Sequence, residues 1–199
     1  MKTFFFSSFV LLFGGSASSQ VSYGIKSGIN IASTKDLISF PKNKLGWYAG
    51  GLAKISLNKI LFLEPELLYS SKGTGASKQV GPLKIVTRFN YLNAPILVGY
   101  KIHKTTSILF GPEFGYLIAA RTIYGSSGSF NTSKNYPYKF DFGLALGLDF
   151  NILPNTIVEF RYDYGFKTLY YVDDYGVRNG QNRGANWVFQ IGINYIFIK

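Results

Sequence analysis

The chain has 199 residues and a formal net charge of +11; 47% of it is apolar, 18% aromatic and 16% charged, and it has no cysteine. That apolar content excludes disorder, and the lack of cysteine excludes a disulfide scaffold or a thiolate metal site. The one long apolar run is too short to span a bilayer, which excludes a multi-span helical membrane protein, and 15 Tyr, 18 Phe and 22 Gly beside so little charge argue against an ordinary soluble enzyme.

The chain opens with a short positive start, Met1-Lys2-Thr3, an apolar stretch from Phe4 to Phe13, and a small polar stretch from Gly14 to Gln20. This is the plan of a secretory signal peptide. Ala17 and Ser19 fit the small-residue positions before a cut, which is expected between Ser19 and Gln20. No cysteine follows, so it is not a lipoprotein signal. Residues 1–19 are therefore read as the signal peptide and 20–199 as one domain.

From there the chain runs in steps of two, the period of a strand that sends alternate side chains to opposite faces. The first segment sets Val21, Tyr23, Ile25, Ile29 and Ile31 against Ser22, Gly24, Lys26, Gly28 and Asn30. From Leu45 to Leu57, Trp47, Ala53 and Ile55 oppose Tyr48, Gly50 and Lys54. From Ile60 to Lys72, Leu63, Leu67 and Tyr69 oppose Phe62, Glu64, Glu66 and Ser70. Between Val86 and Lys101, Leu92, Ile96, Val98 and Tyr100 oppose Tyr91, Asn93, Leu97 and Gly99. Between Thr106 and Ala120, Ile108, Phe110, Phe114 and Tyr116 oppose Leu109, Gly111, Glu113 and Gly115. The clearest alternation follows: Phe140, Phe142, Leu144, Leu146, Leu148 and Phe150 against Lys139, Asp141, Gly143, Ala145, Gly147 and Asp149. Then Val158, Phe160, Tyr162, Tyr164 and Phe166 oppose Glu159, Arg161, Asp163, Gly165 and Lys167, and Trp187, Phe189, Ile191, Ile193, Tyr195 and Phe197 oppose Val188, Gln190, Gly192, Asn194 and Ile196.

Eight such segments are long for a soluble sheet and suit tilted membrane strands. The connections near Asn58, His103 and Asn151–Asn155 are tight, whereas those at Ser33–Lys44, Gly73–Lys84, Arg121–Tyr138 and Thr168–Asn186 are long and polar. Short turns on one rim and long loops on the other predict an all-β fold, an eight-stranded antiparallel up-and-down transmembrane β-barrel of the outer membrane, with long loops outside the cell. Lipid meets the aromatic face, and the sheet closes because unpaired backbone cannot face lipid. The charged face then fills the interior. Lys54, Glu64, Glu66, Arg88, Glu113, Asp141, Asp149, Glu159, Arg161 and Asp163 are expected there as a charge network, with Lys26, Lys139 and Lys167 on the same face. An eight-stranded barrel has room for side chains and little else. Pro65, Pro95 and Pro112 fall within predicted strands, where bulges or strand offsets are expected. The alternative is a soluble lipocalin-like barrel whose aromatic side lines a cavity for a small apolar ligand.

The runs LFLEPELLYSSKG (Leu61 to Gly73), YLNAPILVGYK (Tyr91 to Lys101), FGPEFGYL (Phe110 to Leu117), FDFGLALGLDF (Phe140 to Phe150) and EFRYDYGF (Glu159 to Phe166), with the opening SQVSYGIKSGINIAS (Ser19 to Ser33), resemble the PorT-type outer-membrane β-barrel proteins of Bacteroidetes. The resemblance implies location and architecture. It also implies a link to secretion of proteins across the outer membrane for the family's namesake, and no assigned activity for most members.

Chemistry is sparse. His103, the only histidine, lies in a predicted periplasmic turn, which argues against a histidine-dependent barrel hydrolase. Glu64, Glu66 and Glu113 could form a carboxylate pair for acid/base work on a sugar, but Arg88, Arg161 and Lys54 on the same surface favour charge compensation. Gly73 to Lys78 lacks the spacing of a phosphate loop, and Asp173, Asp174 and Asn179 lack that of a calcium loop. Asn131-Thr132-Ser133 matches a glycosylation triplet. No catalytic residue, metal or cofactor is assigned. Lys35, Lys42, Lys44, Lys72, Lys78, Lys84, Arg121, Lys134, Arg178 and Arg183 lie in or beside the outer loops, against only Asp36, Asp173 and Asp174. A basic rim of this kind suits lipopolysaccharide phosphates, and export argues against nucleic acid. Tyr124, Tyr136, Tyr138, Tyr170, Tyr171 and Tyr175 give the loops contact area for envelope or secretion proteins. The expected function is thus a non-enzymatic barrel acting structurally or through its four loops, with a narrow solute pore as the alternative.

Overall fold

The computed structural model describes residues 20–34, 44–75, 85–124, 128–135, 139–166 and 186–198. The strands are β1 (Val21–Thr34), β2 (Lys44–Ser56), β3 (Leu61–Gly75), β4 (Ile85–Lys101), β5 (Thr106–Tyr124), β6 (Ser129–Asn131), β7 (Phe140–Leu153), β8 (Thr156–Gly165) and β9 (Asn186–Ile198). All but β6 are barrel staves. Neighbours run β4-β3-β2-β1-β9-β8-β7-β5, and β4 pairs with β5, so eight antiparallel strands close on themselves. First and last staves meet in register, with Ile29 opposite Ile191 and Gly28 opposite Gly192. The segment expected as one long loop from Arg121 instead carries β5 on to Tyr124, where β6 pairs with its outer end (Thr122 opposite Phe130) before a 3-10 turn at Ser133–Asn135.

Three tight turns share one rim with the ends of β1 and β9. At the β2–β3 turn the Asn58 Oδ1 accepts from the Ile60 and Leu61 amides at 2.9 and 2.8 Å, the local side-chain bond that makes Asn a turn residue. The β4–β5 turn closes with the Ile102 amide donating to the Thr106 carbonyl at 3.0 Å, and only Pro154 and Asn155 separate β7 from β8. The other rim carries the long connections.

Alternation holds stave by stave. Outward positions such as Ile25, Trp47, Leu67, Phe110, Tyr116, Leu146, Tyr162 and Phe197 are exposed large apolar groups. Outward aromatic rings meet across strands, with Trp47–Tyr69 centroids 5.3 Å apart, Phe114–Phe142 5.4 Å and Phe142–Phe166 5.9 Å. A greasy exterior around buried charge is the reverse of a soluble ligand-binding barrel, so the lipocalin-like alternative does not hold. Inside, apolar clusters such as Leu52, Ile157 and Ile196 near the tight turns, and Phe89, Tyr91, Leu117 and Ala120 near the other rim, lie at the two ends of the charged groups.

The prolines do not produce the expected bulges. Around Pro65 the β2–β3 pairing passes from Leu52–Glu66 to Ile55–Leu63, and around Pro95 and Pro112 the β4–β5 pairing passes from Pro95–Glu113 to Val98–Phe110. Two pairs drop out in each ladder and the register is kept: a missing donor removes a bond without requiring an extra residue. The shifts lie elsewhere, including one where Tyr91 faces Leu117 and Asn90 faces Ala119, so that Ile118 bulges out of β5.

Candidate functional site

The interior is built around four side chains from β1, β3 and β8. Lys26 Nζ donates to Glu66 Oε1 at 2.7 Å and to Glu159 Oε2 at 2.6 Å. Arg161 forks onto Glu66 through Nη1 (2.8 Å) and Nη2 (2.6 Å), and Nη2 also reaches Glu159 Oε2 at 3.1 Å. Each cation thus bridges both acids. All four side chains are fully buried. The geometry follows from alternation and closure: Lys26, Glu66, Glu159 and Arg161 all fall on inward positions, β3 and β8 stand on opposite sides of the ring with β1 midway between them, and the side chains meet across the lumen. A bidentate guanidinium and a two-pronged ammonium are the arrangement that lets buried charge persist.

Towards the tight-turn rim, Lys54 lies 3.0 Å from Glu64 and 3.1 Å from Asp149, with its ammonium 4.6 Å from the Phe62 ring centre. Towards the other rim, Lys72 lies 3.3 Å from Glu113, whose Oε1 also accepts from Asn93 Nδ2 at 2.6 Å. Buried Asn30, Gln190 and Asn194 add polar lining; Asn30 donates to Ser70 Oγ at 2.9 Å. Glu64, Asp149 and Glu159 bring carboxylate oxygens within 4.8 Å of one another, the only such acidic group among the described residues. The Lys54 and Lys26 ammonium groups already sit against them. That arrangement is one of ion pairs, not of metal ligands. Six buried carboxyl groups (Glu64, Glu66, Glu113, Asp149, Glu159, Asp163) face four inward basic groups (Lys26, Lys54, Lys72, Arg161), so acidic side chains outnumber basic ones in the described lumen.

Of the residues expected inside, Glu64, Glu66, Glu113, Asp149, Glu159, Arg161 and Asp163 are buried there, Lys54 lines the lower lumen, and Asp141 is half-buried opposite Gly115. Arg88 is not inside. It is exposed on β4, because it shares the outward parity of Leu92 while Phe89 and Tyr91 turn in. Lys139 is exposed too, just before β7 begins. Lys72, expected on the outer rim, points inward in step with Glu66 and Ser70, a parity readable in the sequence but masked by its place beside a loop. Of the three acids considered for a carboxylate pair, Glu64 is held by Lys54, Glu66 by Lys26 and Arg161, and Glu113 by Lys72. His103 is exposed in its turn. Tyr136, Tyr138, Tyr170, Tyr171 and Tyr175 lie outside the described residues, as do residues 1–19, Lys167, Asp173, Asp174 and Asn179. Tyr124 ends β5, and its side chain is outside them as well.

A cavity of about 420 Å³ occupies the tight-turn end, lined by residues that include Gln20, Lys54, Phe62, Lys101, Lys104 and Ile157. None of Lys26, Glu66, Glu159 and Arg161 lines it.

With a closed eight-stave wall, an apolar exterior and a charged interior established, the match to known families is decisive: residues 13–171 fit the model described as outer membrane protein beta-barrel domain. The chain belongs to that family. Membership places it in the outer membrane. Solved structures share the fold at low identity. Ail, the attachment invasion locus protein of Yersinia pestis, solved with the heparin analogue sucrose octasulfate, is 18% identical over 89% of this chain and 99% of its own, with a TM-score of 0.53. Neisserial surface protein A is 13% identical over the same shares, at 0.56. A major outer membrane protein of Thermus thermophilus is 14% identical over the same shares, at 0.51. No curated protein matches the sequence.

Proposed function

We propose that this family member is a non-enzymatic, non-conducting barrel that holds its outer connections rigidly at the cell surface and acts through them. The carrying observation is the buried Lys26–Glu66–Arg161–Glu159 quartet, which fills the middle of the lumen and ties up the charged groups there in ion pairs. The partners that suit it are lipopolysaccharide phosphates at the basic outer rim and envelope or secretion proteins at the tyrosine-rich loops. The runs that resemble PorT-type barrels support a secretion-accessory setting. The signal peptide at 1–19 suits the same export route.

The test is conductance of the refolded barrel in a planar bilayer. The expected record is no steps above the protein-free background. Discrete channels would overturn the closed-barrel reading in favour of solute transport. The cavity at the tight-turn end supports that second reading.

A further inference from the structure

Arg88 and Arg121 stand directly opposite each other in the β4–β5 ladder, and Asn131 of β6 stands opposite Arg121 in turn. All three are exposed. Residues directly opposite on antiparallel strands have Cβ atoms about 5 Å apart, and like charges so placed repel. Among the described residues neither arginine has a carboxylate partner. The pairing is not a by-product of regular alternation. Inward positions on β5 are odd-numbered up to Leu117 and even-numbered from Ala120, because the bulge at Ile118 flips the strand. Without that bulge Arg121 would point into the lumen. Bulges re-aim side chains in this way.

The level is also specific. Up the outward face of β4 the exposed apolar residues run Tyr100, Val98, Ile96 and Leu92, and Arg88 is the next exposed side chain after them. On β5 they run Phe110, Tyr116 and Ile118, and Arg121 follows. At about 3.3 Å per residue the two guanidinium groups start roughly 10–13 Å along the strand beyond Leu92 and Ile118, beside the exposed Phe130 ring of β6 at the rim. That is the headgroup level of the leaflet on the long-connection side, the outer leaflet of such a barrel. Asn131 Oδ1 accepts from the Ser133 amide at 3.0 Å, which leaves the amide NH₂ as its donor.

We propose that Arg88, Arg121 and Asn131 form a clamp for a phosphate monoester on an outer-leaflet glycolipid of the lipid A type. Two guanidinium forks on one phosphate supply paired charge-assisted bonds and cancel the repulsion that their register imposes. The clamp rests on the reading of the basic rim as facing outer-leaflet phosphates, and assigns that contact to one row of three residues.

The experiment refolds the full chain into phosphatidylcholine vesicles alone, with lipid A, or with dephosphorylated lipid A, and follows the urea midpoint as the glycolipid fraction rises. The wild-type midpoint is expected to rise with lipid A and not with its dephosphorylated form. R88Q and R121Q each need roughly tenfold more lipid A for the same rise, while R88K and R121K keep part of it. In phosphatidylcholine alone both Gln variants are at least as stable as wild type, which separates lost binding from lost folding. The K134Q variant, on the same rim but off the row, keeps the full rise. Equal rises in wild type and both Gln variants would overturn the clamp and leave the basic rim standing. No rise in wild type would overturn both.

Discussion

At the scale of single residues, the interior shows which buried charges hold the barrel together. Lys26 is the only ammonium within bonding distance of both Glu66 and Glu159 among the described residues, and Arg161 is the only guanidinium. Removing one cation strands a fully buried carboxylate, and breaking a buried pair in this way costs about 3–5 kcal/mol. K26M is therefore expected to lower the urea unfolding free energy of the vesicle-embedded barrel by that amount. Adding E159L removes the acid left short of charge and keeps the bidentate Arg161–Glu66 pair. The double variant is expected to be more stable than K26M alone. Equal or additive losses would mean that the quartet does not act as a coupled unit. Arg88 shows the other side of this rule. Its parity with Leu92 already sets it outward, but four residues past the last exposed apolar side chain of β4 a charge reads more readily as lumen than as rim. The apolar band fixes the height, and only the assembled wall displays it.

At the scale of elements, the staves close because small residues let a ring lie flat across them. Tyr48 of β2 is 1% exposed and sits opposite Gly28 of β1, which sits opposite Gly192 of β9. A methyl group on Gly192 would overlap the Tyr48 hydroxyl and lie 2.9 Å from the Ser27 carbonyl; one on Gly28 would lie 2.7 Å from Tyr48 Cε1. The ring therefore covers two glycines on successive strands at the seam where first and last staves meet. G192A is expected to destabilise by about 1–3 kcal/mol, the usual cost of overpacking. Y48F shortens the overlapping group, so G192A should cost less in that background. A full double-mutant cycle by urea titration reads the coupling, and a coupling of zero would show that the ring does not rest on Gly192. The staves themselves were legible, because alternation over β7, β8 and β9 leaves one face apolar at nearly every step. The bulge at Ile118 was not, since nothing in LIAAR marks where a strand gains a residue. The proline ladders were half legible. Pro65, Pro95 and Pro112 signal lost donors, but whether a sheet answers with a gap or a bulge depends on its neighbours, and here rows closed into a cylinder hold the register. Lys72 was legible by parity and was obscured by its nearness to a loop.

At the scale of the whole molecule, every functional reading depends on which rim faces out. Termini and tight turns share one rim, and the long basic connections share the other, which in bacterial barrels sets the tight turns in the periplasm. Among the described residues acidic side chains then outnumber basic ones inside, while the exposed Arg88, Arg121 and Lys134 lie at the outer end. That polarity favours phosphates at the surface and disfavours their passage through the barrel. It also makes orientation measurable, because the chain has no cysteine and any introduced thiol is unique. S129C places a thiol on exposed β6, and H103C places one in the exposed β4–β5 turn. Neither side chain makes a contact on which the fold depends. On intact cells a membrane-impermeant maleimide is expected to label S129C and to leave H103C unlabelled until the outer membrane is opened. The reverse pattern would turn the basic rim towards the periplasm, where no lipid A lies. The phosphate clamp, the surface role of the loops and the outward reading of the tyrosines would then fall together, while the closed wall and its buried quartet would remain.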